Sequence, residues 1–428
     1  MVSLMWFKQD LRTDDNPALQ AAMQHAECVP VYCLDPRWFM PDSRGLVRCG
    51  ARRAQFLLES LVDLKRSLRL AGSDLLVLTG EPEQLLPALC AALGVGVIHT
   101  HEEHAPDEQA LLARLRRSLP EHVALKAEAG NGLFDPAQLP FALEQLPAVF
   151  TRFRNKIEKQ PPAHLPLGRP AAFAPLPAAA LEHVQAIPSL QDLGLEVVAV
   201  EPRTALPAGG GETAGRAWMD DYLWGSRAVR HYKDTRNQLL GRYFSSKLSP
   251  WLAHGCLSPR RIVEELRAHE QGHGANDSTY WLWFELLWRE FFRLSLRVHG
   301  VAFFRHGGLA GGAPPRGNDQ RWIDWREGRT GQPFVDACLR ELNASGFMSN
   351  RGRQIAASYL VHELQQDWRL GASWFEQQLV DYDVASNWGN WAYIAGVGHD
   401  PRGGRAFNVA MQAQRHDPEG TYVATWLK

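Results

Sequence analysis

Short apolar runs alternate with stretches of helical spacing over residues 1–135. Within Ala51–Leu70, Leu57, Leu61, Leu64 and Leu68 recur every three or four positions, the repeat of one helix face. The same reading predicts strands at Val2–Phe7, Val29–Cys33, Asp74–Leu78, Val95–Thr100 and Val123–Ala127, and further helices at Pro82–Leu93 and Pro106–Leu119. Because strands and helices alternate through short Gly and Pro breaks, we expect an α/β domain with a Rossmann-like parallel sheet.

Ligands of such sheets bind at the carboxyl ends of the strands. Here those ends fall near Lys8–Arg12, Asp35–Trp38 and His101–Glu108. No G-x-G-x-x-G follows the first strand, so the usual dinucleotide fingerprint is absent.

The middle of the chain has the composition of a connector. Nine prolines lie between Pro161 and Pro207, and Gly209–Gly211 follows, which favours extended chain. Beyond it the spacing predicts helices at Arg260–His269, Ser278–Gly300, Gly331–Leu342, Arg351–Asp367 and Gly371–Leu379. We expect an α/β domain over 1–135, a long wrapping linker over 136–212 and a large all-α domain over 213–428.

Charge is balanced overall but divided between the halves. The 428 residues hold 46 Lys+Arg and 47 Asp+Glu. From Arg216 onward the balance is 26 − 22 = +4, and before it 20 − 25 = −5. The second half uses Arg almost exclusively and holds 13 of the 15 tryptophans. This composition suits a polyanion or a flat aromatic ligand, although composition alone favours Trp and Arg that simply fill a large helical core.

The six cysteines are scattered, with no C-x-x-C pair and no metal-ligand spacing to His. Buried free thiols are expected, and an iron–sulfur cluster is not. No run of about 18 apolar residues occurs, and Met1–Trp6 lacks a basic leader region. We therefore expect no membrane association and a cytoplasmic location.

Two groups of polar residues are candidates for ligand binding. Ser245–Pro250 puts three hydroxyls and Lys247 before a helix-starting proline, which is either a phosphate site or an ordinary helix cap. Glu285, Arg289 and Arg293 form an i, i+4, i+8 stripe among aromatics, which is either a ligand-facing surface or a self-satisfied ion pair.

A third group lies nearer the C-terminus. Asn350, Arg353 and Gln354 open one helix, while Asp381, Asp383 and Asn387 precede Trp388 and Trp391. Metal sites of this kind prefer oxygen ligands without so many aromatics, so no metal is expected here.

These motifs resemble the photolyase/cryptochrome family and, within it, the cryptochrome DASH branch. The resemblance covers essentially the whole chain, through segments 6–12, 15–19, 245–250, 284–289, 346–354, 381–391, 400–402 and 417–420. Asn350-Arg351-Gly352-Arg353-Gln354 and Asp381-Tyr382-Asp383 carry the assignment to the branch. The resemblance implies an α/β antenna domain and a helical domain that buries FAD in a U-shape.

The cofactor contacts implied by the resemblance are Tyr232, Ser245, Ser246, Lys247, Leu248, Ser249, Arg289, Asn350, Arg353, Asp381, Asp383 and Asn387. Arg353 would pair with Asp381 beside the isoalloxazine, and Asp383 would contact the ribityl or adenine side. Asn387 would face flavin N5, where an amide hydrogen-bonds without titrating and so favours reduced flavin.

The implied substrate cavity lies above the adenine. Glu285, Asn350 and Gln354 would line it, with Trp288 and Tyr393 as its aromatic walls. The implied catalytic set is Glu285, Asn350, Asn387, Trp391 and Trp368. Asn350 stands where (6-4) photolyases carry a His, so a (6-4) photoproduct is not the expected substrate.

Two further roles follow from the same resemblance. Glu108 matches a carboxylate that binds a 5,10-methenyltetrahydrofolate antenna, although a solvent-facing Glu is the alternative. Trp391 and Trp368 match the inner and middle members of an electron-transfer chain. The outer position falls near Pro315–Gly317, which has no Trp, and Trp322 or Trp325 are candidate replacements.

The implied function is blue-light-dependent repair of cyclobutane pyrimidine dimers, preferentially in single-stranded DNA, by a monomer that uses reduced FAD. The alternative is a blue-light receptor that binds DNA or RNA and repairs little. A dark FAD oxidoreductase is disfavoured because the chain has no nicotinamide fingerprint.

Overall fold

A computed structural model describes residues 1–163, 165–206, 209–311, 317, 319–399 and 403–428. The strands in this part are β1 (Val2–Phe7), β2 (Glu27–Leu34), β3 (Leu76–Thr79), β4 (Val95–His101) and β5 (Ala124–Glu128). The helices of the first 220 residues are α1 (Pro17–Ala22), α2 (Ala51–Leu70), α3 (Pro82–Leu93), α4 (Pro106–Ser118), α5 (Phe150–Lys159) and α6 (Glu212–Asp220). Those that follow are α7 (Tyr232–Thr235), α8 (Ser249–Ala253), α9 (Pro259–His273), α10 (Asp277–His299), α11 (Asp319–Arg326), α12 (Pro333–Ser345), α13 (Asn350–Ser358), α14 (Trp368–Gln378), α15 (Val384–Ile394), α16 (Val409–His416) and α17 (Thr421–Leu427).

The strands form one parallel sheet in the order β3-β2-β1-β4-β5. Apart from the half-buried Val2, the residues of β1 are buried, which is why the strand is apolar on both faces except at Ser3. The expected parallel α/β domain is confirmed, with strand ends within about two residues of the predicted bounds.

The two domains share one hydrophobic core. Phe7 and Leu61 of the α/β domain belong to the same buried cluster as Trp251 and Leu287 of the helical domain. A buried ion pair also crosses the boundary, because Arg260 Nη2 lies 2.9 Å from Asp15 Oδ1. At Gly255 the backbone approaches so closely that a Cβ atom would lie 1.9 Å from the Gln9 carbonyl oxygen.

The connector wraps the surface as expected, but it is not extended throughout. Ala180 packs into the core on one face of the sheet, and Arg203 lies 4.4 Å from the ring centroid of Trp426 in the last helix. Residues 150–159 form α5, which the sequence analysis missed. The predicted boundaries at 135 and 212 stay a prediction.

The helical half differs from its prediction in two ways. It contains α7, α8, α11, α15, α16 and α17, for which the sequence analysis predicted no bounds. One predicted helix is also divided. The helix expected over Arg351–Asp367 continues from α13 through a π-helical turn at Tyr359–Glu363 and then ends. Asp367 begins the next helix instead, because its side chain accepts a hydrogen bond from the Arg369 amide. This is N-capping, which a short acidic side chain favours.

Candidate functional site

Asp381 joins three segments of the helical domain. Its Oδ2 accepts hydrogen bonds from Ser249 Oγ at 2.7 Å and from Arg353 Nη2 at 2.8 Å. Its Oδ1 is buried and has no hydrogen-bond partner among the described residues. Because a buried acceptor without a partner is costly, this oxygen is well suited to a ligand donor.

Asp383 is held two residues further on. It caps α15 by accepting a hydrogen bond from the Ser386 amide, and it pairs with Arg289 across 3.6 Å. Burial opposes ionisation of this carboxyl, but the charges of Arg289 and Arg293 outweigh it, so the pKa of Asp383 is lowered. Burial lowers the pKa of Arg289 to about 10, an effect that Asp383 partly opposes. Both groups are charged at neutral pH.

Asn387 lies one turn into α15 and is buried. Its Nδ2 donates to the Ala372 carbonyl of α14 over 3.0 Å. This hydrogen bond engages the amide nitrogen of the side chain. The amide oxygen, Oδ1, remains available as an acceptor.

The Ser245–Pro250 segment is tied to the same cluster through Ser249. Lys247 is buried, and its ammonium donates to the carbonyls of Gly241 and Arg242. Burial lowers its pKa to about 7. The Lys247 side chain therefore holds the loop together, and its role as a cofactor ligand stays a prediction. Ser245 and Ser246 are half-buried, and Leu248 is buried.

Glu285 forms an ion pair with Arg236, a residue that the sequence analysis did not single out. Tyr232 lies beside this pair. Burial raises the pKa of its phenol, and a hydrogen bond with Arg236 partly opposes that effect. Glu285 and Tyr232, which lie far apart in sequence, are thus connected by one guanidinium.

Trp288 is fixed between aromatic neighbours. Its ring stacks on Phe150 of α5 with centroids 3.7 Å apart and an interplanar angle of 11°. Tyr393 meets it edge-on at 5.9 Å, and Arg405 bonds the Tyr393 hydroxyl. The structure therefore places the two predicted cavity walls in contact.

Asn350 and Gln354 lie on α13. Asn350 is exposed at its first turn, and Gln354 is half-buried one turn further on. No hydrogen bond joins either of them to Glu285 within the described part of the chain, so their predicted place beside Glu285 stays a prediction.

A cavity of about 870 Å³ lies between the carboxyl edge of the sheet and the helical domain. Its walls include Lys8, Asp35, Trp38, His101 and Glu108 from the sheet side, and Arg289, Arg293, Asp383 and Trp388 from the helical side. The predicted ligand-binding edge of the sheet therefore does line a cavity. Arg289 and Asp383 line this cavity and also form the ion pair described above. The cavity therefore adjoins the polar cluster around Asp381.

Glu108 stands at the N-terminus of α4 inside this cavity. It accepts a hydrogen bond from the Ala105 amide at 3.0 Å. Loss of water raises its pKa to about 8, and neighbouring Glu103, itself paired with Lys8, adds to the effect. The Glu108 carboxyl is therefore protonated more readily than that of a solvent-facing Glu, and its role toward an antenna stays a prediction.

Comparisons with known proteins agree with this architecture. Residues 3–175 match the family model described as DNA photolyase, and residues 281–428 match the FAD binding domain of DNA photolyase. A cryptochrome DASH from Gloeobacter violaceus is 47% identical over 99% of this chain and 85% of its own length. The chain belongs to the photolyase/cryptochrome family, in its cryptochrome DASH branch. A Synechocystis cryptochrome DASH is 44% identical over 99% of the chain and 87% of its own length.

Solved structures give the same result. A crystal structure of a Synechocystis sp. PCC6803 cryptochrome superposes with a TM-score of 0.94 at 42% identity, over all of this chain and 88% of that one. A class III photolyase from Agrobacterium tumefaciens reaches a TM-score of 0.81 at 28% identity, over 99% of this chain and 86% of that one. The helical half therefore contains the FAD-binding domain of this family.

Two groups of tryptophans in the helical domain include the predicted members of the electron-transfer chain. Trp391 is buried, with its ring 6.0 Å from Trp325 and 5.0 Å from Phe375. Trp325 in turn stacks on Trp322 at 5.7 Å. Trp368 donates to the His306 carbonyl, and its ring lies 5.6 Å from Trp388.

The expected outer position of the chain falls at 315–317, of which only Gly317 is described, and the Asp400–Arg402 motif also lies outside the described residues. Through Trp325, the candidate Trp322 is linked by ring contacts to Trp391.

Sequence reasoning missed three residues that the site uses. Arg236, Phe150 and Arg405 contact Glu285, Trp288 and Tyr393 respectively. Of these three, only Phe150 could have been found from the sequence. Phe150, Phe153 and Ile157 have the spacing of one helix face, which predicts a buried helix there.

Among the described residues, no helix has the length and apolar character needed to cross a bilayer.

Proposed function

We propose that this protein uses blue light and FAD to repair cyclobutane pyrimidine dimers, chiefly in single-stranded DNA. One observation carries the proposal: Asp381 Oδ1, which has no hydrogen-bond partner among the described residues, lies in a polar cluster with Ser249 and Arg353 inside the FAD-binding domain. The contact of Trp288 with Tyr393 supplies aromatic surface for a base.

The residues present fit FAD. Asp381 offers a buried acceptor without a partner, which suits a ring N–H or a ribityl hydroxyl. Asn387 would present its carbonyl oxygen to flavin N5, and the Arg353 charge would remain balanced by Asp381. Reduced FAD, when bound, supplies an electron to the dimer under blue light and recovers it after the cyclobutane ring splits.

The protein side chains would then hold the substrate. Trp288 and Tyr393 would contact the extruded bases on their faces, and Glu285 would hydrogen-bond their polar edges. Glu285 is held in place by Arg236. Because unstacking is cheapest in a strand that is not paired, single-stranded DNA is the preferred substrate.

The cavity at the sheet edge would hold 5,10-methenyltetrahydrofolate as antenna. A neutral Glu108 carboxyl donates one hydrogen bond and accepts others, which suits the alternating donors and acceptors of a pterin edge. The cavity volume of about 870 Å³ lies within the usual range for small-molecule and cofactor sites.

The proposal includes a monomer in the cytoplasm. All six cysteines are free and buried, as is usual for proteins of a reducing compartment.

An absorption spectrum followed by a repair assay tests the proposal. Purified protein is expected to show flavin bands, with an added near-violet band if folate is bound. Reduced protein under blue light is expected to restore thymines in a dimer-containing single-stranded oligonucleotide, and intact dimers after full illumination would overturn repair.

The second candidate function is that of a blue-light receptor, which the name of the relatives, cryptochrome DASH, favours. Light-dependent binding of a partner by the Glu285→Ala variant would favour a receptor that binds DNA or RNA.

A further inference from the structure

Helix α5 presents a face of positive charges without acidic partners. Arg152, Lys156 and Lys159 are exposed and spaced i, i+4 and i+7. Among the described residues none of these three forms an ion pair, and Lys156 lies over the Phe141 ring at 5.2 Å. Like charges at i, i+4 are mildly destabilising in a helix, although Lys156 and Lys159 in the last turn also interact favourably with the helix dipole.

The acidic residue of this helix, Glu158, lies on a different side from the three cations. Glu158 pairs with Arg154 at 3.5 Å and accepts a hydrogen bond from the Tyr280 hydroxyl at 2.7 Å. Arg154 itself lies 5.6 Å from the ring centroid of Phe284. These contacts tie the flank of α5 to α10 and leave the face formed by Arg152, Lys156 and Lys159 to solvent.

The opposite side of α5 is anchored to the wall of the candidate substrate cavity. Phe150 stacks on Trp288, and Phe153 packs against Phe291 with ring centroids 5.3 Å apart. Phe150, Phe153 and Ile157 are all buried. These ring contacts fix α5 against α10, and the basic face therefore lies on the solvent side of α5, across the helix from Trp288. The helix belongs to the predicted linker.

Positive charge also lies on the other flank of α10. Arg236 pairs with Glu285, and Arg351 donates to Asn237 at 2.9 Å. Burial lowers the pKa of Arg351, and the charges of Arg236 and Arg415 lower it further, which places these three cations close together. Glu285 and Trp288 on α10 are thus in contact with two segments that carry basic side chains, one through Arg236 and one through Phe150 of α5.

We propose that the α5 face formed by Arg152, Lys156 and Lys159 binds the phosphate backbone of a single nucleic-acid strand whose bases pass over Trp288. The face is about 10 Å long, enough for two or three successive phosphates. This inference rests on the proposed function, because it assumes a DNA strand at the cavity. It assigns the linker a binding role in addition to its connecting one.

The test is salt-dependent binding of undamaged fluorescent oligothymidylate in the dark, followed by anisotropy. In the holoenzyme with Arg152→Gln, Lys156→Gln and Lys159→Gln, the slope of log K against log[NaCl] is expected to be about 2 units shallower, because each lost phosphate contact on a single strand removes about 0.7. The Kd at low salt should rise at least about tenfold. The single substitution Lys159→Gln, in the last turn, should reduce the slope by about 0.7.

A matched triple variant separates this surface from net charge. Arg116→Gln, Arg117→Gln and Lys126→Gln remove the same charge from exposed positions of the α/β domain and are expected to leave the slope unchanged. Equal slopes for wild type and the α5 variants, or an equal loss in the control, would overturn the inference.

The assay also separates the two proposals because it needs no light. Strand binding that depends on α5, in a protein that leaves dimers intact, would overturn repair and keep the α5 surface. Repair with unchanged binding in the α5 variants would overturn the α5 surface alone.

Discussion

Arg353 donates to Asp381 Oδ2 over 2.8 Å, with the Asp381 side chain 2% exposed and that of Arg353 23% exposed. Removing the arginine would leave a buried carboxylate with Ser249 as the hydrogen-bond donor to its Oδ2. Breaking a buried pair in this way costs far more than losing a surface pair, because an uncompensated charge stays in the interior.

Arg353→Ala is therefore expected to lower the free energy of unfolding by about 3 kcal/mol and to reduce the FAD content of purified protein. Denaturant titration and flavin absorbance measure the two effects. Arg369→Ala is the matched control, because the Arg369–Asp367 pair is 39% and 18% exposed and should contribute less than about 1 kcal/mol. Equal effects of the two substitutions would contradict the assigned role.

Asn387→Asp should make bound flavin harder to reduce. A carboxylate near N5 repels the incoming electron, whereas the amide is neutral. Spectroelectrochemical titration is expected to show a more negative reduction potential than in wild type. Asn390→Asp places the same charge on an exposed position of the same helix, and its potential should match wild type. An unchanged potential in the Asn387 variant would remove that residue from N5.

Gly371→Ala should disturb Trp391. A Cβ atom at this position would lie 2.1 Å from the Trp391 ring, so the ring or α14 must move, at a cost of about 1–3 kcal/mol. Thermal unfolding and tryptophan fluorescence would report the change. Gly272→Ala in α9 is the control, because its nearest neighbour lies at 4.0 Å, and it should be neutral or slightly stabilising.

Trp325→Phe should slow light-driven reduction of oxidised flavin by an external thiol. The Trp325 ring lies between those of Trp391 and Trp322 and contacts both. Because the rate of electron transfer falls steeply with distance, loss of this ring should slow transfer between them. Flavin absorbance during blue illumination measures the rate. Trp368→Phe tests the expected middle member in the same assay, and an unchanged rate in the Trp325 variant would exclude the Trp322 route.

Stability should depend on pH through Glu341. Burial raises the pKa of this carboxyl from 4.5 to about 8, although its hydrogen bond from Tyr422 at 2.5 Å opposes the shift. The folded protein then holds the proton more tightly than the unfolded chain. Its contribution to stability is complete below about pH 4.5 and is lost as the pH rises through about 8.

In Glu341→Gln the decline in unfolding free energy between pH 5 and 8 should shrink by a few kcal/mol (about 1.4 per pKa unit). Denaturant midpoints across that range measure it. A decline as steep as in wild type would show that Glu341 does not titrate there.

The hydrophobic pattern alone was enough to predict the parallel sheet and the longest helices, because burial on both faces of a strand or on one face of a long helix leaves a periodic trace. It did not predict shorter helices such as α11, α15, α16 and α17. It failed at α5, where the neighbouring prolines suggested an extended linker, and at Asp367, where a capping side chain ended one segment and began another. Both failures depend on local capping and on packing partners that are distant in sequence.

The sequence by itself determined the family, the order of the motifs and the identity of residues such as Asp381, Asn387 and Glu285. Only the tertiary structure decided which side chains are in contact. Arg236 pairs with Glu285, Phe150 stacks on Trp288, and Lys247 donates to the Arg242 carbonyl of its own loop. Such contacts join residues from separate segments, and their geometry follows from how the whole core packs. A raised pKa such as that of Glu108 has the same origin, since it depends on which neighbours exclude water from the carboxyl.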